Sequence, residues 1–306
     1  MTPMLEGKVA IVTGAAGGLG RVEALELARL GASVIVNDLG TKADGSGRNE
    51  DPARAVVDEI KAAGGKAAAH FGDVAVGDDA KDLIATAIAE FGDLNILVNN
   101  AGFCRDKMIF NMSEDEFDSV IRVHLKGHFC CMRFASEYWR NRSKETAQPV
   151  YARLVNTSSE AFIFGSAGQP NYAAAKAGIV AMTMSAAQSL QKYGVRANAV
   201  MPRARTRMND SGILAEMFAK PDEGFDEYAP ENVAPLVGYL SSPAAERISG
   251  QLFIVWGKQV TVVGRPNTDT RFESKEAWTT ENLTTTLGPH FEGLEPVTDG
   301  FAVPPS

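Results

Sequence analysis

Short apolar runs alternate along the chain with longer stretches in which apolar residues recur every three or four positions. The first run, Val9-Ala-Ile-Val-Thr13, has the unbroken hydrophobicity of a strand buried on both faces. Behind it Val22, Leu25, Ala28 and Leu30 keep helical spacing up to a stop at Gly31. The same rhythm predicts strands at Ser33 to Asp38, Ala67 to Phe71, Asn95 to Val98, Tyr151 to Thr157, Arg196 to Met201 and Gln251 to Trp256. Helices are predicted at about 52–63, 78–91, 113–140 and 170–193, with Ser113-Glu-Asp-Glu116 giving the third a capping-box start. The polar stretch from Asn141 to Pro149 reads as a connection. Seven strands alternating with helices predict an α/β fold, one parallel sheet covered on both faces. Residues 1–264 are expected to form this one domain. Residues 203–230 break the rhythm after the sixth strand, where a substrate lid is expected. Residues 265–306, polar and Thr-rich with a helical candidate near 273–282, are expected to be an extension packed on the core or on a partner subunit.

Composition excludes more than it identifies. The 306 residues are 45% hydrophobic and 22% charged, as in ordinary soluble proteins. A net charge of -8 argues against a nucleic-acid or anionic-membrane partner. No apolar run approaches membrane-span length, and the N-terminus lacks a signal-peptide layout. Cys104, Cys130 and Cys131 fit no disulfide framework and no metal spacing, so a reducing, cytoplasmic setting is expected.

Chemistry enters at three places. Gly14-Ala-Ala-Gly-Gly-Leu-Gly20 lies between the first strand and first helix, where glycines and free helix amides can cradle a pyrophosphate. Asp38 ends the second strand and can accept both ribose hydroxyls of NAD while repelling the 2′-phosphate of NADP; the alternative is a carboxylate that only caps the turn before Gly40. Tyr172 and Lys176 stand four apart on one helix face. An ammonium close to a phenol lowers its pKa and makes it an acid/base near neutrality, while Ser159 can hold a substrate oxygen. His124 and His128 are also four apart, but no third ligand has a telling spacing, so core or relay histidines are expected and no metal. Arg203, Arg205 and Arg207 either meet an anionic substrate group or lie in a solvated loop.

Thr13-Gly14-x-x-x-Gly18-x-Gly20, Asn99-Asn100-Ala101-Gly102, Ser159 thirteen positions before Tyr172, and Tyr172-x-x-x-Lys176 together resemble the short-chain dehydrogenases/reductases over roughly 5–264. The resemblance implies a Rossmann-type, doubly wound seven-stranded parallel sheet, a nicotinamide cofactor and hydride transfer between a secondary alcohol and a ketone. It implies that Tyr172 is the acid/base, that Lys176 tunes it and holds the nicotinamide ribose, and that Ser159 binds the reacting oxygen. Gly14, Gly18, Leu19, Gly20, Asp38, Asp73, Val74, Asn100 and Thr206 are then expected along the cofactor. Two positions depart from the pattern: His124 stands where an Asn supports a proton relay, and Arg203 stands where a Gly usually follows Pro202. Val36-Asn-Asp-Leu-Gly40, Arg122-Val-His-Leu-Lys-Gly127 and Ala234-Pro-Leu-Val237 look like the dehydrogenase domain of peroxisomal multifunctional enzyme type 2, also called 17β-hydroxysteroid dehydrogenase type 4. That likeness implies NAD and a (3R)-3-hydroxyacyl-CoA, with steroids or small cyclic alcohols as the alternative substrates and a non-catalytic NAD-binding sensor as the alternative function. It also implies a homodimer or homotetramer.

Overall fold

The computed structural model describes residues 3–42, 45–206, 215–216 and 218–292. β1 (Val9–Thr13) is buried along its whole length and pairs in parallel with β2 (Ser33–Asn37) on one side and β4 (Ile96–Asn99) on the other. β3 (Lys66–His70) lies outside β2, while β5 (Ala152–Thr157), β6 (Val195–Pro202) and β7 (Leu252–Trp256) continue beyond β4. The order is therefore β3-β2-β1-β4-β5-β6-β7-β8. The seven parallel strands match the expected sheet, and β8 adds an eighth that sequence reading missed. β8 (Gln259–Val263) returns antiparallel to β7 through Gly257-Lys258, with Trp256 opposite Gln259 and Gly257 at φ +51. A two-residue hairpin needs such a left-handed residue, which glycine supplies without strain.

Alternation along each strand sends side chains to opposite faces. On one face Ala10, Val12, Val34, Val36 and Val98 pack with α1 (Gly18–Arg29) and α2 (Asp51–Ala62). On the other, Ile11, Ile35, Leu97 and Leu154 meet α3 (Gly77–Phe91), and the helices that follow α4 (Glu114–Ile121) complete that layer. These are α5 (Gly127–Thr146) and, after the short α6 (Ala161–Phe164), α7 (Pro170–Ser189). Buried Trp139 fixes α5 to the sheet by donating from Nε1 to the Leu94 carbonyl at 2.7 Å. The chain reverses its winding where β2 and β4 flank β1, which opens a crevice at the carboxyl ends of those strands.

Three helical expectations change. Ser113 closes the predicted capping box with Glu116, but the long helix is broken by a π-helical turn over Arg122–Lys126. α5 runs on to Thr146, so 141–146 is helix and not connection; Arg142 pairs with Glu145 one turn on. The helix in the extension is Thr280–Phe291, later than predicted, and none of its side chains is buried. A further short helix, α8 (Ala234–Leu240), packs against α1, and α9 is the extension helix. Of the expected lid, 207–214 and 217, including Arg207, lie outside the described residues, as do 293–306.

Candidate active site

The turn between β1 and α1 is built by close approach. Gly14 has φ +65, and a Cβ there would lie 2.7 Å from Ala101 Cα. A Cβ on Gly20 would lie 2.3 Å from the Gly14 carbonyl oxygen, so neither position tolerates a side chain. Asn100 ties this turn to β4, donating from Nδ2 to the carbonyls of Thr13 and Gly14 at 3.1 and 3.3 Å, while Thr13 Oγ1 accepts from the amides of Asn100 and Ala101. The result is a cleft of about 240 Å³ with the α1 N-terminus on one wall. Gly14, Gly18 and Leu19 line it, as do Asp38, Asp73 and Val74, and Asn100 and Thr206 complete it. Gly20, whose missing side chain makes room for the turn, stands behind. Asp38 is both cleft wall and turn cap: Oδ2 accepts from the Ala16 amide at 2.9 Å and Oδ1 from the Gly40 amide at 2.7 Å. A pyrophosphate-bearing dinucleotide fits this cradle, with bare backbone where phosphates need it and a carboxylate at the end of β2.

Arg122 is a cleft residue that sequence reading missed. It donates from Nη2 to Asp73 Oδ2 at 2.6 Å, which fixes the Asp73 carboxylate at the cleft edge. The signal was faint, because an Arg on a helix face is ordinarily solvated.

A second, smaller cleft of about 140 Å³ continues from the first, and Leu19, Asn100, Gly102 and Thr206 line both. Ser159, Tyr172, Lys176 and His124 meet in it. β5 ends just before Ser159, and Pro170 starts α7 two residues ahead of Tyr172. Gln169 precedes the first turn, whereas Asn171 is fully buried and donates to the carbonyls of Arg105 and Glu116 at 3.0 and 2.9 Å. Those bonds tie the start of α7 to α4 and to the loop that follows β4.

The Tyr172 phenol hydrogen-bonds Ser159, and the Lys176 ammonium lies 5.2 Å from the Tyr172 ring centre while donating to the Thr157 carbonyl at 2.7 Å. The expected electrostatics are reversed in the protein alone. Burial pushes the Tyr172 phenol above its ordinary value, with Cys104 adding to the rise, and only the Ser159 bond works against it. Burial also brings Lys176 down to about 7. Desolvation disfavours the charged form of each group and outweighs their proximity.

His124 sits on the π-helical turn, edge-on to Tyr172 with ring centres 5.2 Å apart. Its Nε2 lies 3.1 Å from the Phe103 amide nitrogen and 2.8 Å from the Phe103 carbonyl oxygen. Nδ1 is buried without a partner among the described residues, and burial holds the ring well below its ordinary pKa. π-turns concentrate at functional sites because the extra residue redirects side chains.

The arginines after β6 are not free for an anion. Arg203 makes a bidentate pair with Glu160, with Nη2 to Oε1 at 2.6 Å and Nε to Oε2 shorter still. Arg205 pairs with Asp226 and donates to the Phe218 carbonyl at 2.8 Å. Arg203 and Arg205 are therefore held in ion pairs within the protein and do not lie in a solvated loop.

Comparison with known proteins agrees with this geometry. Residues 8–212 match the family model for short chain dehydrogenases. The chain is 50% identical over 305 residues to the hydroxyacyl-CoA dehydrogenase ChsB1 of Mycobacterium tuberculosis, covering 96% of this chain and 92% of that one. It is 42% identical over 241 residues to the peroxisomal multifunctional enzyme type 2 of Drosophila melanogaster, covering 79% of this chain and 38% of that longer protein. A crystal structure of a short chain dehydrogenase from Mycobacterium avium superposes with a TM-score of 0.84 at 44% identity, covering 96% of this chain and 97% of that one.

Proposed function

The chain belongs to the short chain dehydrogenases, an oxidoreductase acting on CH–OH groups, and from that premise we propose that it oxidises 3-hydroxyacyl-CoA thioesters with NAD. The observation that carries the reading is the continuity of the two clefts: the glycine cradle and Asp38 open into the space where Ser159, Tyr172 and Lys176 converge. The substrate class rests on the likeness to ChsB1 and to the multifunctional enzyme.

A dinucleotide held by the glycine turn and Asp38 would supply the hydride acceptor for the carbinol carbon and, in its oxidised form, positive charge in the cleft. Ser159 Oγ holds the substrate hydroxyl. Tyr172 takes the hydroxyl proton as phenolate, a form that burial disfavours in the protein alone and that the positive charge of a bound cofactor would favour. Lys176 near neutrality stands beside it to supply or release a proton. His124 serves the relay in neutral form. Because its Nε2 faces both an N–H and a C=O of Phe103, either neutral tautomer is satisfied there, and Nδ1 is left to donate or to accept. We assign NAD rather than NADP to Asp38, whose carboxylate is fixed by two backbone amides and stands where a 2′-phosphate would be repelled.

Following NADH formation over 3-hydroxyacyl-CoAs, steroids and simple alcohols tests the substrate class; indifference to the CoA thioester would refute it. Replacing Asp38 by Ala is expected to lower the ratio of NAD to NADP kcat/KM by roughly tenfold or more. An unchanged ratio would remove Asp38 from cofactor selection.

A further inference from the structure

Arg203 occupies an unusual electrostatic setting. Glu160 follows Ser159 directly and is 5% exposed, so its carboxylate needs a cation close by. Arg203 provides it through Nε and Nη2, the fork that matches a carboxylate. That pairing uses one edge of the guanidinium. The Trp256 ring covers one face, with its centre 5.2 Å from Cζ, and Trp256 is backed by Tyr228 at 5.7 Å. The remaining edge carries Nη1, which makes no hydrogen bond among the described residues. The Arg203 side chain keeps 33% of its surface exposed and lines the smaller cleft together with Ser159 and Tyr172.

A guanidinium held this way is rigid and already neutralised. It is poorly suited to a phosphate, which Glu160 would repel, and well suited to a neutral carbonyl oxygen that needs one fixed donor. We infer that Arg203 is a specificity-determining residue, donating from Nη1 to the second oxygen of a β-oxygenated substrate while Ser159 and Tyr172 hold the reacting one. In a 3-hydroxyacyl thioester that second oxygen is the thioester carbonyl, one methylene from the carbinol carbon. A simple secondary alcohol has none. This assignment rests on the 3-hydroxyacyl reading above and explains how the site tells such a substrate from a plain alcohol.

The test compares two substrates that differ only at that oxygen: 3-hydroxybutanoyl-CoA and the thioether analogue in which a methylene replaces the carbonyl. Wild-type protein and Arg203→Met are assayed with NAD, and NAD binding is measured for both. Removing one charged hydrogen-bond donor is expected to cut kcat/KM for the thioester roughly 10- to 100-fold and for the thioether less than about threefold. Equal losses on the two substrates, or no loss on either, overturn the assignment while leaving the proposed reaction intact. Failure of the wild-type protein to oxidise the thioester overturns the reaction itself and this assignment with it. Should Arg203→Met not fold, Arg203→Lys decides. A lysine can neutralise Glu160 as a point charge but offers no second fixed edge, so it is expected to lose the thioester preference, and retention of that preference overturns the proposal.

Discussion

A Cβ added to Gly102 would lie 2.0 Å from His124 Cε1 and 2.6 Å from Nδ1, so the imidazole occupies the space a side chain would need. The ring is pinned by Phe103 and packed edge-on to Tyr172, and it has nowhere to retreat without displacing the phenol. Gly102→Ala is therefore expected to cost about 1–3 kcal/mol of stability and to depress oxidation with little change in NAD binding. Thermal melts and steady-state kinetics check this, and a fully active, equally stable variant would show that His124 is not held as described. At this scale the sequence was informative about which residues meet, because Tyr172 and Lys176 share a helix face at a spacing of four. It was misleading about their charge. Spacing says how near two groups are but nothing of how far each is from water, and burial raises the phenol and lowers the amine. Glu160 and Arg203 were equally hidden, since 43 residues separate them along the chain.

Among the elements, α1 carries a buried carboxyl group. Glu23 is 1% exposed, its Oε2 has no partner among the described residues, and burial raises its pKa from 4.5 to about 8. The folded protein thus keeps a proton that the unfolded chain has released between those values. Stability falls as pH rises from about 4.5 to about 8 and stays at the lowered level above. Glu23→Gln removes that penalty, so a gain on the order of 4 kcal/mol is expected at pH 8 and almost none near pH 4.5. Denaturant melts at the two pH values check it, and a loss of stability at pH 8 would contradict it. The parallel strands were legible because most are short runs built on consecutive apolar residues, as in β1, β2, β4 and β7. β8 was not. Its residues are exposed apart from Val263, and its alternation merged into the polar extension, although Gly257-Lys258 was a usable hairpin signal. The π-turn also escaped, since one extra residue in a helix leaves no mark in an apolar pattern.

For the whole molecule, the doubly wound order places both clefts at one edge of the sheet and leaves apolar surface elsewhere. Phe129 on α5 is 51% exposed, and Val260 and Val262 on β8 are 56% and 63% exposed. No helix among the described residues is long and apolar enough to cross a membrane. A homodimer or homotetramer that pairs the long helices would cover Phe129. Light scattering is expected to give two or four times the 32.7 kDa chain mass, with Phe129→Arg shifting it downward. A wild-type monomer would contradict that assembly. In the proposed reaction the Tyr172 phenol takes the proton as hydride leaves, while the glycine cradle holds the dinucleotide independently. The most direct measurement is NADH formation by Tyr172→Phe from a 3-hydroxyacyl-CoA, with NAD affinity titrated on the same sample. The account predicts a rate loss of roughly 10²–10⁴-fold with NAD binding within about threefold of wild type. A variant that binds NAD and oxidises the thioester at the wild-type rate would contradict it.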